Sequence, residues 1–165
     1  MNRRRLGPHC SLETDREARR ATMSIAEHPR TGTILVCDFD TGFREPEMVK
    51  RRPVVAISPR ISARPGLCTV VPLSTRPPRF PADYHCELAT LEPPLPPPWD
   101  KGPSWVKGDM IAAIGLRRLD FMRVGRDPDG KRRYRYDVLP ARDIRRIRAC
   151  VLAGLGLAGL TKHLP

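Results

Sequence analysis

Short runs of apolar, mostly β-branched residues alternate with segments rich in proline, glycine and charge over residues 31–138. Apolar runs of this length predict β-strands, and the polar breaks between them predict turns. The clearest pair of runs covers residues 53–58 and 67–74, and a segment with two prolines and a glycine separates them. We predict two strands joined by an excursion here, with further strands at residues 33–38, 84–89 and 104–114.

The sequence DPDG at residues 127–130 is a strong turn signal. It predicts a hairpin between residues 122–125 and 133–138, and residues 115–121 before it read as a connector or helical turn. In the first predicted strand, successive side chains point to opposite sides of a sheet. One face then carries Ile34, Val36 and Asp38, and the other carries Leu35, Cys37 and Phe39.

Apolar residues recur at helical spacing near the C-terminus, with arginines between them. Pro140 suits the first turn of a helix, where its missing N–H does no harm. The pattern predicts an amphipathic helix over residues 140–157 that packs on the sheet. Its apolar positions are Ile144, Ile147, Val151 and Leu155. Three glycines near its end weaken the helix, so the tail is expected to pack against a partner subunit or to fray.

Two segments are expected to lie outside the strand framework. Residues 92–105 contain PPLPPPWDKGP, which cannot enter a β-ladder and predicts a surface loop that acts as a rigid spacer. Residues 1–30 are polar and are expected to contribute almost nothing to the core. They form an accessory extension, flexible or part-helical, with capping-box spacing at Thr14 and Glu17. A chain starting at Met23 would leave out most of this extension. We therefore expect the first 22 residues to be either an accessory extension or a result of start-codon choice.

The remaining residues, 31–165, are long enough for a single domain with a usable core. The formal net charge of +12 favours a polyanionic partner, but charge alone does not choose between nucleic acid, acidic protein and membrane surface. The five cysteines form no CxxC pair and read as reduced thiols. No apolar run is long enough to span a bilayer, so we expect a soluble, cytoplasmic protein without a membrane partner.

Polar residues with chemical potential stand at the ends of the two clearest strands. Glu47, Arg51 and Arg52 precede or enter the strand at residues 53–58, and Ser74 and Thr75 leave the strand at residues 67–74. If these strands pair antiparallel, the start of one lies beside the end of the other. An acid, a guanidinium and a hydroxyl would then share one rim of the sheet.

The same residues carry a family resemblance. KRRPVVAISP at residues 50–59 and TVVPLST at residues 69–75, preceded by GTILVCDFD at residues 32–40, resemble the MazF/PemK family of toxin ribonucleases. SWVKGDMIAAI at residues 104–114 is similar to a later strand of that family. The resemblance implies a mainly β fold, a small SH3-like barrel of the CcdB/PemK type with a C-terminal α-helix.

The resemblance also implies a function, that of a metal-independent endoribonuclease which cleaves single-stranded RNA through attack of the 2′-hydroxyl on the adjacent phosphorus. Arg52 suits the phosphate, because a guanidinium grips two oxygens and stays charged. By resemblance, either Ser74 or Thr75 is the catalytic hydroxyl, and Glu47 is a candidate proton acceptor. We expect the surrounding groups to bind RNA: Lys50, Arg51, Arg76, Arg79 and Phe43.

The expected partners follow from the same resemblance. Family members are homodimers, and an antitoxin with an acidic tail neutralises them; contact with DNA would come only indirectly, through a toxin–antitoxin complex. We expect no cofactor and no metal. Two alternatives stay open: a non-catalytic barrel that poisons DNA gyrase, as in CcdB-like relatives, and a protein-interaction module that uses the Pro-rich loop.

Overall fold

The computed structural model describes residues 25–40, 42–88 and 91–165. The capping box at Thr14 and the suggested start at Met23 lie outside these residues. Within them, three 3₁₀ helices occur at Gly108–Met110, Leu116–Arg118 and Ala158–His163. The longer elements are β1 (Ile34–Asp38), β2 (Arg51–Ala56), β3 (Leu67–Ser74), β4 (His85–Leu88), β5 (Ser104–Lys107), β6 (Ala112–Gly115), β7 (Leu119–Phe121), β8 (Arg123–Arg126), β9 (Arg132–Tyr134) and α1 (Ala141–Gly154).

The strands pair antiparallel in every ladder of the described residues. Six of them follow the order β4-β5-β3-β2-β1-β7, with β6 also paired to β3, and β8 and β9 form a separate ribbon. β3 changes partner along one edge, since Val70 pairs with Ala112 of β6 while Ser74 pairs with Trp105 of β5. The expected mainly β, antiparallel fold with a C-terminal helix is confirmed.

The sheet curls so that β6 and β7 are linked only by the 3₁₀ helix Leu116–Arg118. No ladder joins β6 to β7 within the described residues, so hydrogen bonding does not run continuously around the barrel. The backbone N–H of Ile25 donates to the carbonyl of Leu119 at 3.0 Å, along the edge of β7 that faces away from β1. Ile25 therefore occupies the start of this edge, at Leu119.

Ile25 departs from the expectation that residues 1–30 contribute almost nothing to the core. Its side chain is only 6% exposed and belongs to the apolar cluster inside the curled sheet. A lone apolar residue in a polar stretch has no periodicity that would reveal its burial. The packed domain therefore includes Ile25, ahead of the boundary expected at residue 30.

Two apolar clusters lie on opposite faces of the sheet, and β1 contributes to both. Ile34 and Val36 pack in the cluster that α1 covers. Leu35, Cys37 and Phe39 pack in the cluster inside the curl. The alternation expected for β1 is therefore observed, and both faces of this strand are buried.

The strand expected at residues 104–114 is interrupted, which is a correction to the sequence prediction. β5 and β6 are separated by the 3₁₀ helix at Gly108–Met110, which lies against α1. A Cβ at Gly108 would come within 2.5 Å of the Cys150 carbonyl carbon. The chain bends here because the helix backbone approaches too closely for any side chain.

The C-terminal helix ends at Gly154 rather than residue 157. Gly156 has φ +74°, and the amides of Gly156 and Leu157 donate to the carbonyls of Ala153 and Leu152 at 3.0 and 2.7 Å. This is a Schellman cap, which glycine adopts without strain. Leu155 is consequently 55% exposed instead of packing with Ile147. No helix in the described part of the chain is both long and apolar enough to cross a membrane.

The Pro-rich segment contributes to the core, in contrast to the surface spacer expected from its composition. Leu95 is 4% exposed, and Trp99 packs against the cluster under α1. The segment also ends earlier than expected, because Ser104 and Trp105 already belong to β5. Prolines hold the backbone out of the ladders while the apolar side chains between them turn inward.

Candidate functional site

Two of the residues expected to share a rim, Arg52 and Ser74, lie at the ends of neighbouring strands, and together with Trp105 of β5 they are called the row below. The β2–β3 ladder pairs Val54 with Pro72, and the same register continued by two residues sets Arg52 opposite Ser74. Directly opposite residues of an antiparallel pair point to the same face. The ladder itself ends at the Val54–Pro72 pair, and by its register Arg52 and Ser74 would face the same side of the sheet just beyond that pair.

Arg52 is half-buried and held by its own loop. Its Nε donates to the carbonyl of Val49 at 3.0 Å, which fixes the direction of the guanidinium. No carboxylate within residues 25–40, 42–88 and 91–165 forms an ion pair with it. The two terminal nitrogens of the guanidinium have the geometry to grip two oxygens of a phosphate.

Ser74 closes a small turn at the end of β3. The Arg76 N–H donates to its Oγ, and its hydroxyl in turn donates to the Arg76 carbonyl, both at 3.1 Å. Thr75 is half-buried in the same turn. By the register of the ladder, Ser74 would face the same side of the sheet as Arg52. Thr75 is the next residue, and in an extended chain its side chain would point to the opposite side.

Glu47 is not turned toward Arg52. Its Oε2 accepts a hydrogen bond from the Arg44 N–H at 2.7 Å, and its own N–H donates to the Arg44 carbonyl at 2.7 Å. The carboxylate therefore closes a turn of the loop between β1 and β2. To accept a proton beside Arg52, Glu47 would have to leave this turn.

Arg118 is a functional candidate that sequence reasoning missed. Its guanidinium lies 4.7 Å from the ring centroid of Phe43, and its Nε donates to the Asp38 carbonyl at 2.9 Å. It thus connects the loop between β1 and β2 with the strand end beside Arg52. Its position in a predicted connector gave no motif from which this contact could be inferred.

Trp105 extends the row on the far side of Ser74. It pairs with Ser74 in the β3–β5 ladder and with Glu87 in the β4–β5 ladder, so its side chain shares their face. Its indole Nε1 is buried and has no hydrogen-bond partner within the described residues. A buried N–H without a partner is costly, and a ligand oxygen at this point would satisfy it.

The other residues expected to bind RNA are dispersed around this row. Lys50 is exposed and has φ +73°, at the junction of the loop with β2. Arg51 follows it and points to the face opposite Arg52, because successive strand residues alternate. Arg76 is exposed beside Ser74, and the guanidinium of Arg79 lies 5.4 Å from the centroid of the Phe80 ring.

No group of three or more His, Cys, Asp or Glu side chains within the described residues is arranged to hold a metal ion. The polar groups of the row are a guanidinium, a hydroxyl and an indole N–H. Burial raises the pKa of the nearby Cys37 thiol to about 12. The charge of Arg118 lowers this pKa, and the charge of Asp38 raises it. Cys37 therefore packs as an apolar group beneath the row.

A model of the family of PemK-like, MazF-like toxins of type II toxin–antitoxin systems matches residues 30–151. The chain belongs to this family. The resemblance drawn from the KRRPVVAISP and TVVPLST segments is thereby confirmed. The match includes every strand from β1 to β9 and most of α1.

Two relatives are similar over much of their length. An uncharacterized protein of Haemophilus influenzae is 32% identical over 111 residues, which cover 59% of this chain and 73% of that protein. The uncharacterized protein YifN of Escherichia coli is 29% identical over 121 residues, which cover 63% of this chain and 80% of that protein.

Solved structures share the fold. The crystal structure of MazF from Deinococcus radiodurans matches with a TM-score of 0.54 and 21% identity, covering 78% of this chain and 96% of that chain. An endoribonuclease of a mycobacterial species, solved in complex with its cognate antitoxin, matches with a TM-score of 0.50 and 21% identity, covering 79% and 97%. At this level of identity, the likeness to these structures is one of fold.

Proposed function

We propose that this member of the PemK/MazF family is an endoribonuclease that cleaves single-stranded RNA without a metal ion. The observation that supports the proposal is the β2–β3 register, which, if extended two residues past the Val54–Pro72 pair, would bring Arg52 opposite Ser74. A guanidinium and a hydroxyl brought together in this way could hold one phosphodiester. The family membership supports the choice of RNA as the substrate.

The proposed reaction uses the 2′-hydroxyl of the RNA as its nucleophile. The 2′-oxygen forms a bond to the adjacent phosphorus while its proton passes to an acceptor, and the bond from phosphorus to the 5′-oxygen breaks. The departing 5′-oxygen takes up a proton, which leaves a cyclic phosphate and a 5′-hydroxyl. Arg52 stabilises the extra negative charge that develops on the phosphate oxygens.

Ser74 and Thr75 are the candidates for steering the 5′-oxygen. The hydroxyl of Ser74 is committed to the Arg76 carbonyl, and a substrate oxygen would replace that acceptor. Trp105 is adjacent to Ser74 and offers its buried Nε1–H to another oxygen of the substrate. The three groups would grip the phosphate from neighbouring strands.

Glu47 is the proposed proton acceptor, and its role requires the loop between β1 and β2 to rearrange. Its carboxylate would leave the Arg44 amide and approach the 2′-hydroxyl. RNA binding can drive this change, because the cations of the loop gain phosphate partners. Geometry in a protein without substrate does not by itself exclude a catalytic acid or base.

We further propose that the protein acts as a homodimer and that a cognate antitoxin neutralises it. The structural neighbour solved with its cognate antitoxin supports this partner. A net charge of +12 suits an acidic, flexible antitoxin segment, which would compete with RNA for the same cations. Analytical ultracentrifugation tests the dimer, and a thermal shift on adding the acidic partner tests the antitoxin.

Incubation of the purified protein with a long single-stranded RNA in EDTA tests the activity. We expect fragments with cyclic phosphate and 5′-hydroxyl ends, at the same rate with and without the chelator. Intact RNA at high enzyme concentration would refute the endoribonuclease and leave a non-catalytic binding barrel. Fragmentation that required a divalent cation would contradict the metal-independent reaction.

A further inference from the structure

An open cleft of about 420 Å³ lies beside the start of β1, away from the row that contains Arg52. The segment before β1, the end of β7 and the residue Tyr136 line it. Its volume falls within the range of sites that hold small ligands. Nothing in the proposed cleavage reaction uses this cleft.

An aromatic wall stands on one side of the cleft. The residue Tyr136 is 57% exposed, and its ring packs edge-to-face on Phe121, with the ring centroids 4.6 Å apart and an angle of 60° between the planes. Arg30 donates from Nη2 to the Tyr136 carbonyl at 3.4 Å, which helps to hold this residue in place. A fixed aromatic ring with an exposed face is the platform on which unpaired bases stack.

His28 supplies a hydrogen-bond acceptor in the same cleft. Its Nδ1 donates to the Pro29 carbonyl at 2.8 Å, so in the neutral ring Nε2 carries the lone pair. Nε2 is buried and has no hydrogen-bond partner within the described residues. The amino group of a nucleobase could donate to it while the base stacks on Tyr136.

The β8–β9 ribbon next to the cleft is strongly cationic. Its exposed cations suit phosphates, because they can release the counterions that a polyanion carries. Arg126 is partly engaged, since its Nη1 donates to the Gly130 carbonyl at 2.6 Å. The exposed cations of the ribbon and its turn are Arg123, Arg126, Lys131, Arg132 and Arg133.

Asp120 lies between the ribbon and the start of β2, on the face of the sheet opposite Arg52. Burial raises the pKa of its carboxyl group, and a backbone hydrogen bond and the charges of Arg51 and Arg132 act in the opposite direction. Arg132 of β9 and Arg51 of β2 therefore both lie within electrostatic reach of one carboxylate. Positive charge extends from the start of β2 to the ribbon.

We propose that this cleft binds one unpaired base of a single-stranded RNA, stacked on Tyr136 and hydrogen-bonded to His28, while the ribbon arginines hold the adjoining phosphates. Thr33 lines the cleft and lies four residues from Cys37, the β1 partner of Arg52. Four strand residues span roughly 13 Å. The base bound here is thus a flanking base, outside the scissile step.

An acidic protein segment would use the same arginines, but it would need neither the Tyr136 ring nor the acceptor on His28. Phosphate contacts position a nucleic acid, whereas contacts to bases carry its identity. The two occupants are separated by asking whether binding depends on the bases. This inference rests on the proposed RNA substrate, but it can be measured without cleavage.

The test measures the affinity of Arg52→Ala protein for fluorescein-labelled RNA by anisotropy. One probe is a random-sequence single strand of about 12 nucleotides, a length in the range of known single-strand sites. The second probe has the same length and charge but lacks all bases. We expect Tyr136→Ala, added to Arg52→Ala, to weaken binding of the first probe about 10-fold and leave the second unchanged.

Tyr136→Phe is the matched control, because it keeps the stacking ring, and we expect it to bind the first probe as the parent does. Arg132→Glu with Arg133→Glu should weaken both probes, whereas Arg142→Glu with Arg145→Glu on α1 should weaken both much less. Equal affinity of Tyr136→Ala and its parent for the first probe would overturn the inference. So would equal weakening of the two probes, which points to a charge effect or an acidic protein as the natural occupant.

The outcome is independent of the cleavage assay. If the unmodified chain fails to cleave RNA but Tyr136→Ala still lowers the affinity only for the probe that carries bases, the base-binding cleft is supported and the endoribonuclease is refuted. If cleavage occurs but Tyr136→Ala causes no base-dependent loss of affinity, the endoribonuclease is supported and the base-binding cleft is refuted.

Discussion

The guanidinium of Arg135 donates a hydrogen bond of 2.6 Å to the carbonyl of Pro93, across 42 residues of sequence. The same side chain reaches the Glu92 carbonyl and is bridged to Asp137 at 2.7 Å, while only 4% of the residue is exposed. Arg135 therefore connects the Pro-rich segment with the stretch of chain that follows β9 and contains Tyr136.

Arg135→Ala is therefore expected to lower the free energy of unfolding by about 3 kcal/mol, because the hydrogen bonds and the ion pair of a buried guanidinium would be lost. Urea unfolding followed by circular dichroism measures the change. Arg133→Ala on the exposed face of the same ribbon is the control and should stay within about 0.5 kcal/mol of the parent. Similar values for the two variants would show that the Arg135 contacts contribute little.

Gly108 should tolerate no side chain. A Cβ there would lie 2.5 Å from the carbonyl carbon of Cys150 and 2.9 Å from its Cβ, so Gly108→Ala must push α1 away from the sheet. We expect a loss of about 3 kcal/mol in the free energy of unfolding. Gly115→Ala is the matched control: Gly115 has φ −64°, and a Cβ there meets nothing within 4 Å. It should stabilise the fold by about 0.5 kcal/mol, and a loss at Gly115 comparable to that at Gly108 would contradict the close approach.

Arg52→Ala should lower RNA cleavage at least 100-fold, which corresponds to about 3 kcal/mol of transition-state stabilisation. Arg51→Ala is its neighbour control: it removes the same charge from the opposite face and should cost much less. Either Ser74→Ala or Thr75→Ala should match the loss of Arg52→Ala, which identifies the catalytic hydroxyl. Cleavage near the parent rate by both Arg52→Ala and the double alanine at Ser74 and Thr75 would remove the assignment.

Glu47→Gln tests the proposed proton acceptor, because the amide keeps the size of the side chain and can still accept from the Arg44 N–H. If Glu47 takes the proton of the 2′-hydroxyl, the acidic limb of the pH–rate profile should disappear in the variant. Single-turnover cleavage across the acidic range measures this. A variant profile with the same acidic limb and a modest loss of rate would leave Glu47 with a role in the loop turn only.

Cys86 should be the most reactive of the four cysteines in the described residues. A hydrogen bond from the Cys150 thiol lowers the pKa of Cys86. Burial raises this pKa, and the charge of Arg146 lowers it further. By contrast, burial raises the pKa of Cys37 to about 12. At neutral pH, iodoacetamide should therefore label Cys86 at least about 10-fold faster than Cys37, as peptide mass spectrometry would report.

Cys150→Ala is the variant that isolates the cause. It removes the donor to Cys86, so the pH at which Cys86 becomes reactive should move upward. An unchanged pH dependence would mean that Arg146 or simple exposure sets the reactivity.

The sequence was informative where chemistry and local pattern coincided. β2 and β3 are β-branched runs, and the antiparallel pairing on which the expected rim depended is observed between residues 54–56 and 70–72. The meeting of Arg52 with a hydroxyl at the ends of these strands stays a prediction. The pairing of Trp105 with Ser74 could not be inferred from the sequence. It depends on β3 pairing with β6 over its first half and with β5 at its end, and no local pattern shows this change of partner.

Other differences have the same origin in tertiary packing. The strand expected at residues 104–114 breaks at Gly108 because a helix distant in sequence lies against it. Arg118 reaches Phe43 from a connector whose sequence suggested only a turn. Leu95 is buried although prolines surround it, since its burial depends on the cluster beneath α1 and not on its neighbours.

The hydrogen bond from Ile25 to Leu119 limits how far the chain can be shortened. A version that began beyond Ile25 would present β7 with an uncovered edge, and uncovered edges recruit strands from other molecules. Such a version is expected to aggregate or exchange segments between copies even if its catalytic row were intact. For expression and crystallisation, the useful starting point therefore lies before residue 25, ahead of the first strand.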